Sequence, residues 1–154
     1  MKTGVVQTMS KLFIYYSNTG NGDIVAYKME SLGYDVRKVM PKKELPKSFF
    51  FKVMTGGFLV GLNVKSKLVD YDNNVSEYEE IVIGSPIWND RLSTPINSVL
   101  DKTDLNGKNV RFILYAGSGT AKKVFKQLEK VSINPDVTFL KEPKKYPDEL
   151  EKLV

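Results

Sequence analysis

Between Lys11 and Gly33 the chain changes character twice, and the order of those changes restricts the fold more than any other feature. KLFIYY, residues 11–16, is a short, nearly unbroken apolar run of the kind that forms a buried strand. It stops abruptly at SNTGNG, residues 17–22, which holds only small polar residues and glycine. From Asp23 to Leu32 apolar side chains return at helical spacing, in Val25, Met29 and Leu32, and Gly33 is suited to end that helix. Strand, polar loop and amphipathic helix in this order make the first half of a βαβ unit, which commits the chain to a parallel sheet.

The alternation continues. Tyr34 to Val39 reads as a second strand, and EIVIG, residues 80–84, as a third whose continuous Ile81, Val82 and Ile83 suit a strand covered on both faces. Thr94 is placed to cap a helix, with Pro95 at its first position and Ile96, Val99 and Leu100 inward. Asn106-Gly107 marks a turn and Val110 to Ala116 a fourth strand. Thr120 to Lys130 reads as a helix with Val124, Phe125 and Leu128 on one stripe, Asp136 to Leu140 as a short fifth strand, and Pro147 as the start of a final helix. The expectation is an α/β fold, a mostly parallel five-stranded sheet with helices on both faces. A chain of 154 residues fits one such domain, with residues 1–10 as a loose extension. Residues 41–75 fit the alternation poorly.

Neither cysteine nor histidine occurs. That excludes disulfides, thiolate nucleophiles, Ser-His-Asp and Cys-His catalysis and the usual zinc sites, and no metal site is expected. Any chemistry rests on carboxylates, hydroxyls, backbone amides or a cofactor, and a hydrolase or transferase has little support. A net charge of +5 favours anionic partners. The lysine clusters at 42, 43 and 47 and at 141, 144 and 145 are small, however, and the expectation is solvated faces and no nucleic-acid partner. SFFFKVMTGGFLVGL, residues 48–62, is apolar, but Lys52 interrupts it and Gly56, Gly57 and Gly61 weaken a helix. Its apolar length falls short of the roughly 20 residues a bilayer requires, so no transmembrane segment is expected. A covering helix is the first reading and a partner or homodimer surface the second. The opening residues lack the pattern of a secretory signal, and a cytoplasmic location is expected.

In an open parallel sheet ligands bind beyond the carboxyl ends of the strands. Three loops follow strands one, three and four: SNTGNG, then SPIWNDRLSTP at 85–95, then GSGT at 117–120. The first offers hydroxyls from Ser17 and Thr19, amides from Asn18 or Asn21, and glycines that free backbone N–H groups at a helix start, which suits a phosphate with no lysine required. A tight strand-to-helix turn is the alternative. Neither GK[ST] nor GxGxxG is present, which leaves a monophosphate or similar group. The second loop holds Trp88, the only tryptophan, in a stretch expected to be exposed, where a flat ring would stack and Asn89 would meet its polar edge. The third, from Ala116 through Gly117, Ser118 and Gly119, has no bulk and leaves its backbone open to a ligand. A phosphate tail in the first loop and an aromatic ring between the other two describe FMN.

These motifs resemble those of the flavodoxin family, in particular its short members. Ser17-Asn18-Thr19-Gly20-Asn21 is similar to the family's Ser/Thr-x-Thr/Ser-Gly-Asn-Thr phosphate motif, GSPIW at 84–88 to its Gly-x-Pro-Ile-Trp loop, and AGSGT to its Ser-Gly-Gly-Ser-Gly stretch. The resemblance implies a doubly wound sheet of order 2-1-3-4-5. It implies that Ser17, Asn18, Thr19, Gly20, Asn21 and Gly22 hold the FMN phosphate. Pro86, Ile87, Trp88 and Asn89 then pack on the ring, and Ala116, Gly117, Ser118 and Gly119 line its other edge. Three departures stand out. Gly22 replaces a threonine, so a hydroxyl is missing; Asn89-Asp90 replaces a bulkier Trp-Gly; and the chain is basic where electron-carrier flavodoxins are acidic. The implied function is electron transfer or a small flavin-dependent reductase, with a redox protein or small-molecule donor or acceptor as partner. The other reading is a flavin-free module of the same fold that interacts through residues 48–64 or its basic face.

Overall fold

A computed structural model describes residues 10–44 and 65–154. In chain order these form β1 (Lys11–Tyr15), α1 (Asn21–Ser31), β2 (Asp35–Lys38), β3 (Glu80–Trp88), β4 (Arg91–Leu92), α2 (Thr94–Lys102), β5 (Asn109–Ala116), α3 (Val124–Leu128), β6 (Asp136–Lys141) and a 3-10 turn at Pro147–Lys152. Five strands run parallel in the order β2-β1-β3-β5-β6. The sheet has six strands rather than five, because β4 pairs antiparallel with the end of β3.

Strict alternation along the strands divides the core in two. Phe13, Tyr15, Val82, Ile113, Tyr115 and Leu140 point to one face, where Val25, Ala26 and Met29 of α1 and Leu153 cover them. Leu12, Ile14, Ile81, Ile83, Phe112 and Leu114 point to the other, against Ile96 and Val99 of α2 and Val124 and Leu128 of α3. Each fully buried aliphatic side chain contributes roughly 1.5–3 kcal/mol, so the central strands dominate stability. Gly84 in β3 answers a packing need. A Cβ there would lie 2.5 Å from the Phe13 ring, which stacks on Tyr15 with centroids 5.2 Å apart.

Helix α1 ends as its sequence predicts. Gly33 has φ +91°, Gly33 N–H donates to Glu30 O and Tyr34 N–H to Met29 O, the paired bonds of a Schellman motif. Other boundaries differ from expectation. α1 begins at Asn21, two residues early, and α2 is capped by Ser93 rather than Thr94, so Pro95 is its second residue. The helix expected over 120–130 is confined to Val124–Leu128, and the final helix is a 3-10 turn.

The largest difference concerns β3, expected to stop at Gly84 but continuing through SPIW to Trp88. A proline seldom lies in a central strand, because it cannot donate to the ladder. Gly84 O accepts from Tyr16 N–H, so Pro86, two residues on, turns its backbone to the same side. There β1 has already ended, while on the opposite side Pro86 remains in register with Tyr115 of β5. The apolar segment 48–62 lies outside the described residues, and among those no helix is long and apolar enough to cross a membrane.

Candidate functional site

Beyond the carboxyl ends of β1, β3, β5 and β6 lies a cavity of about 460 Å³. Asn18, Thr19 and Asn21 of the first loop line one end; Pro86, Ile87 and Trp88, then Ala116 and Gly117, line the rest. The three loops singled out by sequence thus meet in one place.

The β1–α1 loop is held by its own atoms. The hydroxyl of buried Ser17 accepts from the N–H groups of Gly20 at 3.1 Å and Gly22 at 3.0 Å, and Gly20 takes φ +96°. Gly22 packs directly beneath. A Cβ on it would fall 2.8 Å from Ser17 Cβ and onto the Tyr115 phenol, whose hydroxyl donates to Tyr16 O. The space a threonine would use is therefore filled by Tyr115, reaching across from β5.

Trp88 is buried, 5% exposed, rather than presented on an open loop. It stands edge-on to Tyr16 with centroids 5.8 Å apart, and the Tyr16 hydroxyl donates to Glu44 at 2.9 Å. The tryptophan is thus a core residue that also forms part of the cavity wall. Asn89 and Asp90 have φ of +48° and +65° and join β3 to β4 as a two-residue turn with left-handed backbone at both positions, which asparagine and aspartate tolerate. The Asp90 carboxylate accepts from the N–H groups of Lys122 at 2.8 Å and Lys123 at 2.9 Å, tying this hairpin to the loop after β5. Asn89 does not line the cavity; neither do Ser118, whose hydroxyl donates to Thr120 O, nor Gly119, with φ +79° against Lys141. Gly117 has open space where a side chain would stand.

Four lining residues lie outside the sequence motifs: Tyr115, Glu142, Lys144 and Lys145. In sequence Tyr115 looks like an ordinary strand residue, and the others follow a strand whose loop carries no glycine or tryptophan signal. Lys144 N–H donates to Asn21 Oδ1 at 2.9 Å and its Nζ to Thr19 O at 3.3 Å. Glu142 bends the loop with φ +36°, and its carbonyl accepts from the N–H groups of Lys145 and Tyr146.

Titration reflects this packing. Burial pushes the Tyr115 phenol well above its ordinary pKa, and burial with a hydrogen bond to Asp23 raises Tyr15. Asp23, in the first turn of α1, is pushed up by partial burial yet lowered overall by hydrogen bonds from Lys38 and Tyr15, with Lys144 adding to the effect. The balance of charge also differs between the two edges of the sheet. At the carboxyl ends of the strands lie Lys42 and Lys43 after β2, Arg91 in β4, Lys122 and Lys123 after β5, and Lys144 and Lys145 after β6. Glu44, Asp90 and Glu142 share that edge in smaller number; Asp72, Glu77 and Glu79 precede β3 toward the opposite edge, where Asp35 and Asp136 open β2 and β6 and Lys11, Lys108 and Arg111 also lie. The cavity mouth is the basic edge.

No curated protein matches the chain in sequence. Among solved structures it is similar to a candidate flavoprotein from Bacteroides eggerthii, with 20% identity over 85% of this chain and 86% of that one and a TM-score of 0.71. It is similar also to a flavoprotein from Lactobacillus acidophilus solved in complex with FMN, with 22% identity over 84% and 90% of the two chains and a TM-score of 0.61. At these identities the likeness is one of fold. The profile described as Flavodoxin matches residues 10–146, nearly the whole chain, and agrees with the β2-β1-β3-β5-β6 order of the parallel strands. The chain belongs to the flavodoxin family.

Proposed function

We propose that the chain binds FMN in the cavity at the strand ends and serves in electron transfer, as a carrier or a small reductase. The observation that carries the reading is the convergence of an anion-seeking loop and an apolar wall on one cavity of suitable size. Its volume lies within the roughly 300–1,000 Å³ typical of small-molecule sites. The L. acidophilus protein of the same fold, solved with FMN, supports the same ligand.

In this reading Asn18, Thr19 and Asn21 face the phosphate, while Ser17, Gly20 and Gly22 shape the loop beneath them. Ile87, Trp88 and Tyr115 give the ring an apolar bed, and Gly117 lets the backbone approach its edge. Bound FMN supplies reversible electron uptake, chemistry that no side chain of this protein provides. The protein binds, orients and shields the ring, and the surrounding lysines and Arg91 favour negative charge in the site. The basic mouth suits an electron donor or acceptor of acidic surface.

Gel filtration of the purified protein with added FMN, followed by a visible spectrum, tests the proposal. Flavin absorbance is expected to travel with the protein, with affinity in the micromolar range or tighter. A protein peak without flavin at micromolar concentration would defeat it.

A further inference from the structure

We infer that Lys144, lying over the β1–α1 loop from the segment after β6, selects a phosphorylated flavin over the same flavin without its phosphate. This rests on the FMN reading above and adds a determinant outside the loop itself.

Residues 17–22 contain no charged side chain. Much of their hydrogen-bonding capacity is already committed: the N–H groups of Gly20 and Gly22 converge on Ser17 Oγ, and Asn21 Nδ2 donates to Thr19 Oγ1 at 3.2 Å. A dianionic group placed there lacks a countercharge from the loop. Lys144 supplies one. Its backbone N–H is fixed by Asn21 Oδ1, and its side chain lies along the bare backbone of Gly20, where a Cβ would stand 3.4 Å from both Cδ and Nζ. The ammonium uses one donor on Thr19 O and keeps others for a ligand. Among the described residues it forms no ion pair, although Glu142 lines the same cavity. Its field lowers Asp23, so the charge acts across the start of α1.

An ammonium in this position strengthens binding only of a ligand that carries the anion. Loop geometry and ring contacts serve a phosphorylated and an unphosphorylated flavin alike, so the difference between the two isolates the lysine. FMN and riboflavin would be titrated by fluorescence into wild type, Lys144→Met and Lys144→Arg at low and high salt. Lys144→Met is expected to weaken FMN roughly ten- to a hundredfold, the worth of one charge-assisted hydrogen bond, while riboflavin changes less than about twofold. Lys144→Arg is expected to keep most of the preference, and added salt to erode it in wild type more than in Lys144→Met. Equal losses for both flavins in a folded Lys144→Met would make the residue a loop support and overturn the inference, as would an unchanged FMN affinity. Either result leaves the FMN reading intact. Wild type binding neither flavin would overturn the two together.

Discussion

Gly22 shows how a single residue can mislead when read alone. In the sequence it is a lost hydroxyl; in the structure it admits Tyr115, which a Cβ at position 22 would strike. The contact joins residues far apart in the chain, as does the hydrogen bond from the Tyr115 hydroxyl to Tyr16 O, and no local pattern announces either. Gly22→Ala is expected to destabilise the fold by about 1–3 kcal/mol through overpacking, measured by urea unfolding. Shortening the partner should relieve part of that cost, so Gly22→Ala with Tyr115→Leu should fall measurably short of the sum of the two single effects. Strict additivity would place the strain elsewhere.

At the scale of elements, those with a strong period are the legible ones. β1, the body of α1 and its glycine stop, and β5 follow from burial pattern and turn chemistry alone. β3 is longer than its sequence suggests because Pro86 is a strand breaker in isolation, and only the early end of β1 makes it harmless. For the same reason Trp88 reads as a loop residue, although β3 carries it into the core. α3 is shorter than its apolar stripe, since such a stripe does not show where the chain ceases to be helical. The Asp90 carboxylate, received from another loop, pins the two residues just before that short helix, which itself has no side-chain cap. Asp90→Ala is expected to cost about 0.5–1.5 kcal/mol through its lost bonds to the backbone, and to speed amide exchange around Lys122 and Lys123 with little effect on β1. Uniform exchange changes would argue against a local role. The cavity shows the same division: its glycine, proline and tryptophan loops are visible in sequence, whereas Glu142, Lys144 and Lys145 enter only through the position of β6 at the sheet edge.

Across the whole molecule, tyrosines are a distributed constraint on pH. Burial, followed by a hydrogen bond to Glu80, pushes Tyr34 up to about 12, and burial likewise raises Tyr16, Tyr71 and Tyr115. The folded state favours the neutral phenol, so this stability is complete below the unfolded pKa of 10.0 and is lost as pH rises toward the folded values. The thermal midpoint is expected to drop between about pH 9 and pH 12. Phenolate absorbance of the buried tyrosines should appear together with unfolding, and Tyr34→Phe should show a shallower decline. The unequal balance of charge between the two sheet edges acts on a different quantity, the rotation of the molecule before anything touches it. Among the described residues, basic side chains outnumber acidic ones at the cavity edge and acidic ones outnumber basic ones at the other, an electric moment along the strands through which an anionic body diffusing past exerts a torque that turns the cavity toward it. Such orientation raises the share of collisions that arrive the right way round, and it fades as ions shorten the reach of the field.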